Sequence, residues 1–148
     1  MVNDHTVHLA LTRRAGLRPR ESVLVHGAAG GLGSAAVRIA AALGARATAA
    51  ASSPQRRTAA TAAGAHQVYG PDEWQDSVRA DGGADIIVDP IGGIIDPIGG
   101  DVFDVSLRAL APRAGCSVSA TSPAESRRPR RTGCYCVTAT SEASTGAA

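Results

Sequence analysis

The chain has 148 residues, 44% hydrophobic and 19% charged, with a formal net charge of +2; this suits one domain with its own core, and nothing commits it to nucleic acid or a membrane surface. All 15 basic residues are arginine, and the lack of lysine excludes the Walker phosphate loop and Schiff-base chemistry. No apolar run approaches the roughly 20 residues that span a bilayer, and Met1 to His8 has no secretory pattern, so a cytoplasmic chain is expected. Cys116, Cys134 and Cys136 lack metal-ligand spacing, and no metal site is expected.

In chain order, Val7, Leu9, Ala10 and Leu11 have helical spacing within 4–14, and the turn from Ala15 to Pro19 stops that helix. Val23 to Val25 is a strand. It breaks at His26 into the glycine-rich turn of SVLVHGAAGGLG (22–33), after which 34–43, SAAVRIAAAL, reads as a helix with Gly44 at its C-cap. The stretch 45–51 reads as a second strand. Pro54 opens a helix to Ala63, and Gln67 to Tyr69 is a brief third strand. The helix EWQDSVRA, ended by Asp81-Gly82-Gly83, leads to the strand ADIIVD (84–89). The order β-α-β-α-β-α-β implies an α/β fold, a partial Rossmann-type doubly wound parallel sheet, because each return to a parallel strand needs a crossover.

Two irregularities follow. IVDPIGG (87–93) is repeated as IIDPIGG (94–100), a tandem copy that lengthens one loop rather than a solenoid repeat. Val102 to Leu110 then resumes as an amphipathic helix. From Arg113 onward the chain turns to Ser, Thr, Arg and Pro with no apolar period, so 113–148 is expected to be a disordered or irregular C-terminal tail, and Arg127, Arg128, Arg130 and Arg131 a solvated charge run. Read one base out of register, the codons of Gly133 to Cys136, and with a TCN codon for Ser117 those of Gly115 to Ser117, must encode apolar residues; the tail is therefore expected to be out of frame. The expected organisation is a lead-in helix and turn at 1–20, an incomplete Rossmann-like domain at 21–112 with the duplicated loop at 87–100, and the tail.

The motif Ala28-Ala29-Gly30-Gly31-Leu32-Gly33 has the form A-x-G-x-x-G between a strand and a helix. Such glycines let the backbone approach a pyrophosphate while the N–H groups of the helix start donate to it. About 20 residues further on, an acidic residue would bind the ribose hydroxyls of NAD; this chain has Ser52, Ser53, Arg56 and Arg57 there, which suit a 2′-phosphate and predict NADPH. The same glycines also fit G-x-x-x-G-x-G of short-chain reductases, but those require Tyr-x-x-x-Lys, and Tyr69 and Tyr135 are followed at that spacing by Glu73 and Ala139.

SVLVHGAAGGLG, ALGA (42–45), the Ser-Ser-Pro helix start and ADIIVDPIGG followed by DVFD and SLRALAP resemble the medium-chain dehydrogenase/reductase superfamily. The similarity is greatest to its zinc-independent NADPH:quinone oxidoreductases and runs from His8 to Pro112. The resemblance implies that Ala29, Gly30, Gly31, Leu32 and Gly33 hold the pyrophosphate. It likewise implies Ser52, Ser53 and Arg56 at the 2′-phosphate, and Asp89 and Pro90 on the approach to the nicotinamide. It further implies hydride transfer from NADPH to a quinone or enone. Three features depart from the family: no barrel-like substrate domain, no final strands to build the homodimer interface, and Arg20 where glycine is usual. The isolated chain is therefore expected to lack activity; the alternative is a non-catalytic nucleotide-binding remnant or a poorly folded product of a degraded gene.

Overall fold

A computed structural model describes residues 2–89, 108–109, 116–119 and 135–138. The element order is α1 (Val2–Leu9), β1 (Ser22–His26), α2 (Gly31–Ala42), β2 (Arg46–Ala50), α3 (Pro54–Ala62), β3 (Gln67–Tyr69), α4 (Trp74–Ala80), β4 (Ile86–Asp89), β5 (Cys116–Ser119) and β6 (Tyr135–Thr138). The strands form one parallel sheet in the order β3-β2-β1-β4-β5-β6. The chain starts at the middle of the sheet, runs out to one side and returns to the other, which is the doubly wound arrangement predicted from the alternation of elements.

The alternation of side chains along β1 divides the core. Val23 and Val25 face α1 and α2, joining Val7, Ala10, Leu11, Ala36, Val37 and Ala40 in one buried cluster. Leu24 faces the other way, packing with Ala50, Trp74, Val78, Ile87 and Ala109 in a second cluster. Alanine supplies much of the helix–sheet contact, so the layers approach closely and Val and Leu contribute most of the apolar area. At the start of the sheet the Ser22 N–H donates to the Asp85 carboxylate at 2.8 Å, and the Asp85 N–H donates to the Ser22 carbonyl at 2.9 Å. This clamp fixes the neighbouring strands β1 and β4 in register.

Several details differ from the pattern in the sequence. The first helix begins at Val2 and passes into a π-helical turn over Ala10–Arg14, closed by Ala15 N–H to Ala10 C=O at 2.8 Å. Val7, Ala10 and Leu11 are buried as expected, whereas Leu9 lies on the solvent side, 55% exposed. Helix α2 starts three residues earlier than helix propensity suggests, because Gly31 and Gly33 are themselves helical. Arg20 has φ 74°, the left-handed conformation that explains why glycine suits that position. The edge of β4 is covered: β5 pairs with it in parallel, Ile86 opposite Cys116, and β6 pairs with β5. Two short strands thus lie in the stretch whose composition predicts low order, since strand pairing depends on an available edge as well as on local apolar period. The duplicated loop beyond Asp89 and most of the helix at 102–110 lie outside the described residues. No helix among the described residues is long and apolar enough to cross a membrane.

Candidate functional site

The C-terminal ends of β1, β2, β3 and β4 share one edge of the sheet, with His26 beside Ala50, Ala50 beside Tyr69, and Val25 beside Val88. Sheet order reverses between β1 and β4, and in open α/β sheets this switch point is where a ligand enters. The turn Gly27 to Gly30 rises from that point. Gly27 has φ 56°, and its carbonyl accepts the Gly30 N–H at 2.9 Å. Gly30 is the N-cap of α2 in an extended conformation (φ −78°, ψ 171°), with no side chain capping the helix. The first-turn N–H groups of α2 therefore face outward as donors for an anion, with the positive end of the helix dipole behind them.

The three fingerprint positions have distinct physical reasons. At Gly33 a Cβ would stand 2.3 Å from the Gly27 carbonyl oxygen and 2.8 Å from Ala28 Cα, so only glycine allows α2 to close on the turn. At Gly30 the nearest atom to a Cβ would be the same carbonyl oxygen at 3.3 Å. Ala28, in the first fingerprint position, is fully buried, which shows that the turn has room for a methyl there. Ala29 and Leu32 are half-buried, Leu32 packing on the first core cluster.

Past β2, Ser52 and Arg56 come together: Arg56 Nη1 donates to Ser52 Oγ at 3.4 Å, and both are exposed. Ser53 is the N-cap of α3, its Oγ accepting the Arg56 N–H at 3.3 Å. One lone pair of its oxygen is thus engaged by the helix, and its hydroxyl proton is what it can donate to an anion. Arg57 extends to the turn after β3: its Nη1 and Glu73 Oε2 lie 3.7 and 3.5 Å from where a Gly70 Cβ would stand. Arg56 is therefore the guanidinium beside Ser52.

Asp89 is placed differently from a cleft residue. It is 5% exposed at the end of β4 and interacts electrostatically with His26, which is 4% exposed at the end of β1. The His26 ring meets Trp74 of α4 edge-on at 4.8 Å between centroids. Burial holds the His26 pKa below the usual histidine value, against the opposing pull of the Asp89 charge. Pro90 lies outside the described residues. His26 and Trp74 carry no local sequence signal for this role: the histidine simply ends a strand, and Trp74 is brought over it by the course of α4. A cavity of about 270 Å³ lies at the opposite ends of β1 and β2, lined by Ser22, Arg46, His66 and Asp81, remote from the glycine turn.

Strand order, glycine turn and uncapped helix define a dinucleotide-binding domain. Residues 31–132 match the family model described as zinc-binding dehydrogenase, and the chain belongs to that family, within the medium-chain dehydrogenase/reductase superfamily. Among the described residues no three His, Cys, Asp or Glu side chains come together to hold a metal ion. A quinone oxidoreductase from Thermus thermophilus, also solved in complex with NADPH, is 34% identical, with a TM-score of 0.76 over 95% of this chain and 44% of its own. A probable oxidoreductase from Mycobacterium abscessus is 36% identical, with a TM-score of 0.70 over 80% of this chain and 36% of its own. The spectinabilin polyketide synthase system protein NorB of Streptomyces orinoci is 36% identical over 111 residues, 72% of this chain and 5% of that protein. The chain thus spans less than half the length of these relatives.

Proposed function

We propose that this chain binds NADPH as the cofactor side of a reductase that passes hydride to a quinone or enone without a metal. The observation that carries the reading is the closure of α2 on the turn at Gly33, which presents uncapped N–H donors at the switch point of the sheet. In this reading Ala29 to Gly33 hold the pyrophosphate through backbone N–H groups, and Leu32 anchors the helix start against the core. Ser52, Ser53 through its hydroxyl proton, and Arg56 take the 2′-phosphate. No acidic residue stands between Arg46 and Gly70 to favour an unphosphorylated ribose.

When bound, NADPH supplies the hydride; the protein orients it and keeps water from the reacting face. Asp89 enters the site indirectly: paired with His26 at the switch point, it fixes the floor from which the turn rises. Pro90 is assigned to the nicotinamide side. The facing wall of the cleft, which would select the acceptor, belongs to a further domain in this reading. The quinone oxidoreductase relative favours a quinone acceptor.

Calorimetric titration of the purified chain with NADPH and NADH tests the cofactor. Micromolar NADPH binding with NADH at least about tenfold weaker is expected, a difference of about 1.4 kcal/mol. Equal or tighter NADH binding refutes the 2′-phosphate assignment. Failure to bind either cofactor refutes the whole reading.

A further inference from the structure

The fingerprint accounts for Gly30 and Gly33 but leaves Gly31 unconstrained, since that position falls between the second and third fingerprint glycines. Gly31 is the first residue of α2, where φ is ordinary and no strain calls for glycine. The structure supplies another reason. A Cβ on Gly31 would stand 2.7 Å from Nδ2 of Asn3, whose side chain reaches over from α1. The space that a side chain would fill at the mouth of the cradle is occupied by a carboxamide.

Asn3 is held there by the packing of α1 along α2. Arg38 of α2 donates to the Asp4 carboxylate of α1 at 2.6 Å, and Val7, Ala10 and Leu11 of the same lead-in segment are buried in the first core cluster. The Asn3 side chain is exposed, and no hydrogen bond to another described residue engages its amide. Arg38, the cation nearest in sequence to the turn within α2, is tied to Asp4. The anion would thus meet neutral donors: backbone N–H groups from α2 and, beside Gly31, the NH₂ of Asn3.

We propose that Asn3 is a cofactor-binding residue that donates from α1 to the pyrophosphate, and that Gly31 is glycine in order to admit it. The proposal rests on the NADPH reading above and adds a ligand contributed from outside the glycine motif. Asn3 acts together with Gly31, because any side chain at Gly31 displaces the amide. Displacing it costs little in folding, since the crowded atom is the free end of a flexible side chain.

The test is a double-mutant cycle on NADPH affinity using Asn3→Ala and Gly31→Ala, with thermal unfolding of each variant in parallel. Asn3→Ala weakens NADPH binding about tenfold, the loss of one hydrogen bond to a charged group, while the melting temperature stays within a degree or two. Gly31→Ala weakens it by a similar factor, and the double variant is no worse than either single one. Asn3→Asp places a carboxylate against the pyrophosphate and weakens NADPH more than Asn3→Ala does. Its affinity for adenosine 2′-monophosphate, which lacks the pyrophosphate, stays unchanged. Wild-type affinity in Asn3→Ala, or fully additive losses in the cycle, overturns the proposal while leaving the NADPH reading intact. A wild-type chain that binds no NADPH overturns both.

Discussion

Gly33→Ala is the sharpest test of how the cradle is built. By helix propensity alone, replacing a glycine within a helix by alanine stabilises by up to about 1 kcal/mol. Packing reverses the sign. The new Cβ would lie 2.3 Å from the Gly27 carbonyl oxygen and 2.8 Å from both Gly27 C and Ala28 Cα. All three are backbone atoms, so no rotamer change relieves the overlap, and α2 must back away from the turn by about 1 Å to recover ordinary contact. Overpacking costs roughly 1–3 kcal/mol, and overlap with three backbone atoms places this case in the upper part of that range, about 2–3 kcal/mol, which leaves a net destabilisation of about 1–2 kcal/mol after the propensity gain. Thermal unfolding should register a fall of roughly 3–8 °C. Since the same shift withdraws the N–H donors, NADPH affinity should fall by more than about tenfold. Gly30→Ala is the control: its Cβ would approach the same oxygen only to 3.3 Å in a backbone conformation open to any residue. It should cost under about 1 kcal/mol, as expected for a less favoured N-cap. The reasoning is refuted if Gly33→Ala is as stable as wild type, or if Gly30→Ala is the more damaging of the two.

Other tests address separate elements. Arg20→Gly removes left-handed strain at φ 74° and should stabilise the chain by about 0.5–1 kcal/mol in urea unfolding; a destabilised variant would show that the arginine makes a compensating contact. His26 has a folded pKa depressed by burial, so the unfolded chain binds its proton more readily. The corresponding stability is fully present above about pH 6.5 and is lost as pH falls below it toward the folded pKa, with a slope of at most about 1.4 kcal/mol per pH unit. Unfolding curves from pH 7.5 to 5 should show that slope in the wild type and lack it in His26→Gln; parallel curves refute the assignment. Arg56→Ala should bring the NADPH and NADH affinities within a few-fold of each other, and a retained NADPH preference would shift the 2′-phosphate contact elsewhere. The coding DNA tests the tail: read one base out of register after Arg113, it should encode an apolar strand, and stop codons in that frame dismiss the idea.

Much of the first 89 residues was legible because their signals are local. The apolar run 23–25, the glycines that follow it, Pro54 after Ser53 and the β-branched run before Asp89 each act within a few residues. Strand, turn and helix follow from steric preference there. Boundaries were less legible where a tertiary contact extends an element, as at α2, whose first turn is built from glycines that propensity would leave in the loop. The lead-in helix shows the same limit: Leu9 is apolar, yet it stands two residues from Val7 and from Leu11, so the helix face that packs on the core leaves it in solvent.

The fold class, the glycine turn and the polar pair after β2 were written in the order of residues alone, since each depends on residue types at short, fixed spacing. What surrounds them came from folding in three dimensions. Asn3 reaches Gly31, and His26 of β1 meets Trp74 of α4 and Asp89 of β4, because α1 and α4 lie on opposite faces of the sheet and chain return brings distant ends to one edge. The same holds for β5, whose polar sequence predicts little order but which finds a partner in the edge of β4. Contacts of this kind are set by loop closure and layer packing, and no local pattern of residues encodes them.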